Sequence, residues 1–440
     1  MRTLKTLVIA ALLISMGGIA FAELQNVEIG GKLRIRGNWF DMDRATDASF
    51  VEQRALLNVK ADFTSDVSVF IELDDYSIWG EDFRSLYLTG ADARSNSSDD
   101  VELYQAYIDA KNLWGTPLSM RVGRQELVFG NEFLLGNNDT SAAFTGLSYD
   151  ALRLTFANDM VNIDAFAAKL AETAGDWGED DINLYGVYGS YIGIEDVVID
   201  AYWLFLQDDS VLIGDDIDIH TVGLRGAGTL GAFDFDLNVA YQFGEVDGQP
   251  SACPLGFGEA DVDYDALAVD AQLGYTFDVA WQPRVFAGFA WYDGGDPDES
   301  HWSNDADLPF NRLFSDIEYS EFLDNVGSLS NVMVYSLGVQ VMPTEAVALK
   351  LVGKYLDTDQ ERLVYVFPCH VNVGDTLGWE LGLYADYHYS EDLVIRAGYA
   401  HFFGDDGLEG SFVLANGLAP VLADDDDDYN YLFIEAEIAF

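Results

Sequence analysis

The 440-residue chain carries 76 Asp and Glu against 22 Lys and Arg, which gives a formal net charge of −54. So acidic a chain is repelled by nucleic acid and by anionic lipid headgroups, and neither is an expected partner. An acidic disordered chain is excluded too, because such chains lack aromatics and this one has 28 Phe, 23 Tyr and 9 Trp. Abundant Gly (41) and scarce Pro (9) favour strands and tight turns.

The first 22 residues have the pattern of a secretory signal peptide. Arg2 and Lys5 precede a short apolar run, and the segment ends in the small-x-small pattern Ala-Phe-Ala at 20–22. A transmembrane anchor is the weaker alternative, because the run is short and no stop-transfer pattern follows. We therefore assign 1–22 to a signal peptide and 23–440 to one exported domain. No later segment has the roughly 20 continuous apolar residues of a membrane helix, so this domain is expected to cross a membrane as strands.

About eighteen amphipathic segments follow, most of them at least as long as the roughly ten residues that a tilted barrel strand needs. In the clearest of them, residues 233–243, aromatic and aliphatic side chains alternate with mostly polar ones. The closing segment alternates in the same way, with Ile434 and Ile438 on one face and Glu435 and Glu437 on the other. The predicted strands are 26–40, 50–62, 66–77, 100–111, 117–126, 147–157, 160–170, 181–193, 196–207, 216–227, 232–244, 262–277, 282–292, 330–342, 345–356, 376–389, 391–403 and 429–440.

The connections between these segments alternate in length. Those after even-numbered segments are short, such as 64–65 and 158–159, whereas those after odd-numbered segments are long, such as 78–99 and 293–329. Short periplasmic turns and long extracellular loops are typical of bacterial outer-membrane proteins. We predict an all-β fold, a closed antiparallel transmembrane β-barrel of about 18 strands in a Gram-negative-type outer membrane, with its lipid as a partner. Aromatic girdles are expected near the strand ends, at Trp39, Trp203, Trp291 and Tyr399.

The last strand also predicts a protein partner. It is amphipathic and ends at Phe440 without a polar tail. It thereby resembles the recognition strand of outer-membrane barrels. The barrel-assembly machinery is therefore an expected partner.

If alternate residues face the lumen, parity places a set of charged side chains there. A charge at the lipid midplane costs about 2–4 kcal/mol, so these side chains should point inward. Two interpretations stay open: the basic side chains form a selectivity wall, or they pair with lumenal acids such as Asp66 and Asp164. Barrel closure brings the last strand beside the first, so Glu435 and Glu437 are expected partners of the first-strand arginines. The predicted lumenal set is Lys32, Arg34, Arg36, Arg54, Lys60, Arg121, Arg153, Arg396, Glu435 and Glu437.

Two stretches carry a family resemblance. Residues 122–136 read VGRQELVFGNEFLLG, and residues 144–156 read FTGLSYDALRLTF. The Gly-Arg-Gln-Glu-Leu strand end, the Gly-containing loop and the following Asp-x-Leu-Arg-Leu strand resemble the alginate export family of outer-membrane porins, over about residues 26–170. The resemblance implies an eighteen-stranded monomeric barrel that passes a solute or a polyanion, with lumenal arginines selecting it.

The chain departs from that pattern in where its charges lie. Basic residues crowd into the first third, whereas later strands offer inward-facing acids. A lumen that is basic on one wall and acidic on the other suits small zwitterions or cations better than a long polyanion. Acidic outer loops concentrate cations at the mouth, so we predict an overall cation preference. The acidic candidates are Asp164, Asp200, Asp234, Asp236 and Asp386.

The long loops hold the remaining candidate sites. Asp424, Asp426 and Asp428 belong to a run of five aspartates, and such oxygen-rich clusters suit Ca²⁺ or Mg²⁺. The alternative is a solvated charge run without a metal, and no other cofactor is expected. Cys253 and Cys369 fall in two loops on the same side of the barrel, where they either form a disulfide or remain separate.

The expected function is passive passage of small or charged solutes through a porin-like channel, as a monomer or loose oligomer. The alternatives are a non-conducting scaffold or surface anchor and an exporter of a polyanionic polysaccharide. An enzyme is not expected, because the sequence has no Gly-x-Ser-x-Gly elbow, and His220 is the one histidine expected in the lumen or at its rim. The Gly- and Asn-rich loop 127–146 is expected to fold inward as a constriction, with loop 293–329 as the second candidate.

Overall fold

A single large antiparallel barrel dominates the structure. The computed structural model describes residues 24–42, 47–80, 101–139, 144–172, 181–209, 217–250, 259–295, 305–323, 329–360, 362–366, 369–373, 375–406, 412–413, 421–422 and 428–440. Its strands are β1 (Asn26–Met42), β2 (Ala48–Asp62), β3 (Val67–Ile78), β4 (Glu102–Ala110), β5 (Leu118–Gln125), β6 (Tyr149–Ala157), β7 (Val161–Glu172), β8 (Asp181–Ile194), β9 (Val197–Asp208), β10 (Ile217–Leu230), β11 (Phe233–Pro250), β12 (Glu259–Thr276), β13 (Arg284–Tyr292), β14 (Asp305–Leu308), β15 (Val332–Thr344), β16 (Val347–Asp357), β17 (Arg362–Val366), β18 (Cys369–Val373), β19 (Thr376–His388), β20 (Leu393–Gly404), β21 (Phe412–Val413), β22 (Val421–Leu422) and β23 (Asp428–Ala439). Across these described ranges, no helix is long and apolar enough to span a membrane.

Eighteen of these strands make the barrel wall, and each overlaps one of the eighteen predicted segments. The remaining strands are short: β14 pairs in parallel with β12, and β17–β18 and β21–β22 are two separate hairpins in loops. The closure is made by β1, which is hydrogen-bonded to both β2 and β23. Such closure satisfies the backbone donors and acceptors of the wall in lipid, and it confirms the predicted fold.

The outer face of the wall is apolar and carries aromatic rows at both ends. Near one rim, Phe289, Tyr335, Tyr355 and Trp379 form a row on neighbouring strands, with successive ring centroids 5.2, 6.1 and 4.5 Å apart. A second group, which includes the Phe233–Tyr275 pair at 4.8 Å, lies at the opposite strand ends. Such girdles mark the two membrane interfaces of an outer-membrane barrel. Of the predicted girdle residues, the exposed ones are Trp39, Trp203 and Tyr399.

His220 lies at the rim of the barrel, which is one of the two positions predicted for it. On β10 its neighbours Ile219 and Thr221 are buried on the lumenal side, so His220 faces outward. Its ring stacks on Phe205 at 4.3 Å and lies 5.1 Å from Phe243, within the rim girdle. The histidine therefore lies at the rim, but not in the lumen.

The apolar core lies inside the barrel. The loop after β5 brings buried side chains into the lumen, among them Leu127 and Phe133, and the segment 309–323 adds Phe310 and Phe322. The two segments meet in a short parallel bridge between Leu135 and Phe314. Both candidate constriction loops therefore fold inward and pack against each other across the lumen.

Candidate functional site

The closure seam between β1, β23 and β20 builds the densest charge cluster of the lumen. The Glu435 carboxylate is 1% exposed and accepts hydrogen bonds from Arg34 (3.1 Å), Arg36 (2.9 Å) and Arg396 (2.7 Å). Glu437 lies 3.3 Å from Arg396 and 3.4 Å from Arg34. The predicted pairing across the seam is therefore confirmed. One buried carboxylate holds three guanidinium groups from two strands.

A second carboxylate reaches this basic wall from the inward loop. The Asp139 carboxylate accepts from Arg34 at 3.0 Å and from Arg54 at 2.7 Å, and it also pairs with Lys32. The Asp139 carbonyl oxygen accepts a further bond from Arg34 at 2.6 Å. These cations belong to β1 and β2, so Asp139 ties the loop to the wall. Asp139 lies in a loop without periodicity, so no sequence pattern marks it as a partner of these cations.

Aromatic rings cover the same guanidinium groups. The Phe144 ring lies 4.4 Å from the Arg34 guanidinium carbon and 4.9 Å from that of Arg36. The Tyr104 ring lies 4.8 Å from the Arg54 guanidinium carbon. Such cation–π contacts favour Arg where the cation is withdrawn from water. The wall is thus both neutralised and shielded from solvent.

The other arginines of the predicted set are also paired. Arg121 bonds Asp109 at 2.9 Å across β4 and β5, and Arg153 bonds Asp164 at 2.8 Å across β6 and β7. The Asp164 side chain is almost completely buried, as its predicted role as a partner requires. Of the two interpretations of these arginines, the geometry supports pairing.

Lys60 and Asp66 lie near the periplasmic mouth. The Lys60 ammonium is half-exposed and lies 3.4 Å from Glu28 and 3.5 Å from Asp62. Asp66 was wrongly expected to pair with an arginine; it lies in the turn before β3 and accepts a hydrogen bond from Asn112 at 2.7 Å. A residue in a turn has no strand parity, which is why the alternation rule placed it wrongly.

The later strands, for which the sequence predicts inward-facing acids, also carry arginines next to those acids. Arg225 bonds Asp200 at 2.9 Å and Asp236 at 2.6 Å, and Arg284 bonds Asp234 at 2.9 Å. Four of the predicted acids therefore face inward but neutralise arginines of their own wall: Asp164, Asp200, Asp234 and Asp236. The lumen alternates paired charges around its circumference instead of dividing into a basic and an acidic half.

Lys350 differs from these cations because no carboxylate among the described residues neutralises it. Its ammonium lies 4.5 Å from the centre of the Tyr384 ring, and it is the only barrel-wall cation of the described strands without a carboxylate within 4.0 Å. Its neighbour on β16, Lys354, bonds Glu380 at 2.7 Å. Asp386 lies on the adjacent strand β19 and lines the same cavity. Lys350 is thus a positive charge that a passing solute can meet.

A cavity of about 970 Å³ opens beneath the two inward loops. It reaches from the closure seam to the opposite wall, and its lining combines cations with acids. Its charged lining residues include Lys32, Lys350, Asp236, Asp270, Asp386 and Glu437.

The two inward loops meet at a pair of acids. Glu132 and Asp316 are in hydrogen-bonding contact, and both surround Gly136. Burial, and then the neighbouring Asp316 carboxylate, raises the pKa of Glu132 to about 7. The amide of Asn137 donates to Glu132 at 3.3 Å, which partly offsets these effects.

The comparisons with known proteins agree with this geometry. A sequence model of the alginate export family matches residues 25–409. The chain belongs to the alginate export family. No curated protein sequence is significantly similar to it.

Solved porins share the fold of this alginate-export-family barrel. OccK8 (OprE) of Pseudomonas aeruginosa is 13% identical to this chain, with a TM-score of 0.56. The alignment covers 94% of this chain and 98% of OccK8. OccAB3 of Acinetobacter baumannii is 14% identical with a TM-score of 0.58, covering 94% and 100% of the two chains. Pseudomonas aeruginosa OpdK, solved with vanillate, is 10% identical with a TM-score of 0.56, covering 94% and 99%. Family and fold together establish an outer-membrane β-barrel with a porin-like channel.

The metal and disulfide predictions fall largely outside the described residues. Asp424, Asp426 and Cys253 lie there, whereas Asp428 begins β23 and is 3.8 Å from His401. Cys369 begins β18. Within the described ranges, no group of three or more His, Cys, Asp or Glu side chains is arranged to hold a metal. Both predictions remain expectations for this member of the alginate export family.

Proposed function

We propose that the barrel is a passive diffusion channel for small cations and zwitterions. The observation that carries this proposal is that every described barrel-wall cation except Lys350 lies within 4.0 Å of a carboxylate, whichever face of the wall it occupies. Additional acids, such as Asp270 and Asp386, line the cavity beyond those pairs. A channel with surplus fixed negative charge admits cations and repels anions.

The shape of the lumen supports small solutes. Two loops cross it, and the space below them measures about 970 Å³. Lys350 can hold the carboxylate of a zwitterion while Asp270 attracts its ammonium group. The barrel needs no energy source for this passage, since the solute moves down its own gradient.

The test is solute uptake by proteoliposomes that contain the purified barrel. Lysine, glycine, glutamate and a short uronate oligomer are compared at equal concentration and ionic strength. We expect lysine and glycine to enter faster than glutamate, and the oligomer to enter most slowly. Faster entry of glutamate and the oligomer would refute the proposal, and no uptake of any solute would favour a non-conducting scaffold.

Export of a polyanion is the second candidate, and one observation favours it. The Asp139 carboxylate occupies a three-cation site formed by Lys32, Arg34 and Arg54, and it belongs to a loop, not to the wall. Displacement of this loop would remove the carboxylate that the three cations share, leaving Lys32 without a partner and Arg34 and Arg54 with one wall carboxylate or more, and an anionic chain could take the place of Asp139. The oligomer arm of the uptake assay separates the two functions.

A further inference from the structure

The contact between the two inward loops has the chemistry of a proton switch. Three backbone hydrogen bonds join the loops: Gly136 N to Phe314 O (2.8 Å), Phe314 N to Leu134 O (2.9 Å) and Asp316 N to Glu132 O (3.0 Å). Two carboxyl groups lie at this joint, Glu132 from one loop and Asp316 from the other. Two such groups at contact distance cannot both ionise without strong repulsion.

The backbone of Glu132 has a conformation that is unusual for a residue with a side chain. Its φ is +65°, a left-handed conformation that Gly or Asn adopts much more readily than Glu. Gly136 provides the room for the pair, because a Cβ there would lie 2.5 Å from Glu132 Oε2 and 2.6 Å from Asp316 Cβ. A strained acid and a glycine together position the pair between the loops.

We propose that Glu132 and Asp316 form a proton-operated latch that closes the two inward loops across the channel. When the pair holds one proton, a carboxyl–carboxylate hydrogen bond keeps the loops together. When the proton is lost, repulsion between the two carboxylates separates the loops and widens the passage. The proposal rests on the proposed channel function.

The surroundings determine the direction of the pH dependence. An open loop gives Glu132 its ordinary pKa of 4.5, whereas the closed joint raises that pKa to about 7. The protonated pair therefore stabilises closure fully below about 4.5, and this contribution is lost as the pH rises through about 7. The charged groups that act on Glu132 are the carboxylates of Asp316 and Glu126, and both raise its pKa. The nearest cations on the packed elements lie elsewhere: Arg225 lies against Gly130, and the Arg312 guanidinium lies over the Tyr319 ring.

Single-channel conductance of the full barrel in planar bilayers tests the latch, at about pH 5 and about pH 8. We expect the wild-type conductance to be at least about twofold higher at pH 8. Glu132→Gln should keep the loops joined by an amide–carboxylate hydrogen bond and give the low conductance at both values, as should Asp316→Asn. Asp386→Asn is the matched control, because it removes a lumenal carboxylate of the wall strand β19 that is not among the groups acting on Glu132, and it should keep the pH response.

A pH response retained in both Glu132→Gln and Asp316→Asn would overturn the latch. A barrel that conducts nothing would refute the channel function but leave the latch testable. For that case, nitroxide labels on Asn137 and Leu313, in a background with Cys253 and Cys369 replaced by Ser, report the distance between the loops. The distance should increase from pH 5 to pH 8 in the wild type and stay constant in Glu132→Gln; an unchanged wild-type distance contradicts the latch.

Discussion

The closure seam allows the sharpest prediction, the replacement of Glu435 by Gln. The carboxylate is almost fully buried and accepts three charge-assisted hydrogen bonds, at 3.1, 2.9 and 2.7 Å. An amide of the same size removes the negative charge and leaves three guanidinium groups facing one another. Breaking a buried ion cluster by neutralising one member costs about 3–5 kcal/mol. We expect Glu435→Gln to lower the free energy of unfolding by that amount.

The measurement is urea unfolding of the refolded barrel in lipid vesicles, followed by circular dichroism under reversible conditions. Glu437→Gln is the matched control, because Glu437 belongs to the same strand but is 22% exposed and makes longer contacts of 3.3 and 3.4 Å. Such an ion pair contributes about 1 kcal/mol or less. Equal, small losses of stability in both variants would contradict a stabilising role of the buried Glu435 charge.

Three further substitutions probe the lumen and the wall. Asp139→Asn should leave Lys32 without a carboxylate partner, reduce the neutralisation of Arg34 and Arg54, and move the reversal potential in a salt gradient towards anions. An unchanged potential would exclude a role for Asp139. Lys350→Gln should slow uptake of zwitterions more than uptake of potassium, and equal slowing would contradict a contact between Lys350 and the solute carboxylate. Gly123→Ala should destabilise the barrel by more than about 1 kcal/mol, because φ of Gly123 is +128° and a Cβ would collide with the Ala106 carbonyl oxygen. Gly226→Ala is the control, since a Cβ at Gly226 would meet open space and should cost little stability. Equal stability of the two variants in urea would contradict this expectation.

The barrel wall was predictable because its pattern is local and periodic. Alternation along β1 and β23 placed Arg34 and Glu435 on the same lumenal side, and closure of an even-stranded barrel made the two strands neighbours. Parity along β10 also decides between the two positions predicted for His220. Arg225 faces the lumen five residues further along β10, and an odd separation puts the two side chains on opposite faces.

The interior was less predictable, because the inward loops have no periodicity. The contact of Asp139 with cations on β1 and β2 depends on how the loop packs against the wall. Residue types alone do not indicate the course of the loop backbone. The Glu132–Asp316 pair joins loops almost 200 residues apart in sequence. The sequence could indicate which loops fold inward, but not which of their side chains meet.

The reversal potential of the wild-type channel in a potassium chloride gradient reports whether cations or anions pass preferentially. The surplus of lumenal carboxylates predicts a potential whose sign reports a higher permeability for potassium than for chloride. This preference should weaken at high salt, because mobile ions screen the fixed charges. A potential of the opposite sign would show that the arginines prevail over the carboxylates, and it would contradict the proposed cation and zwitterion channel.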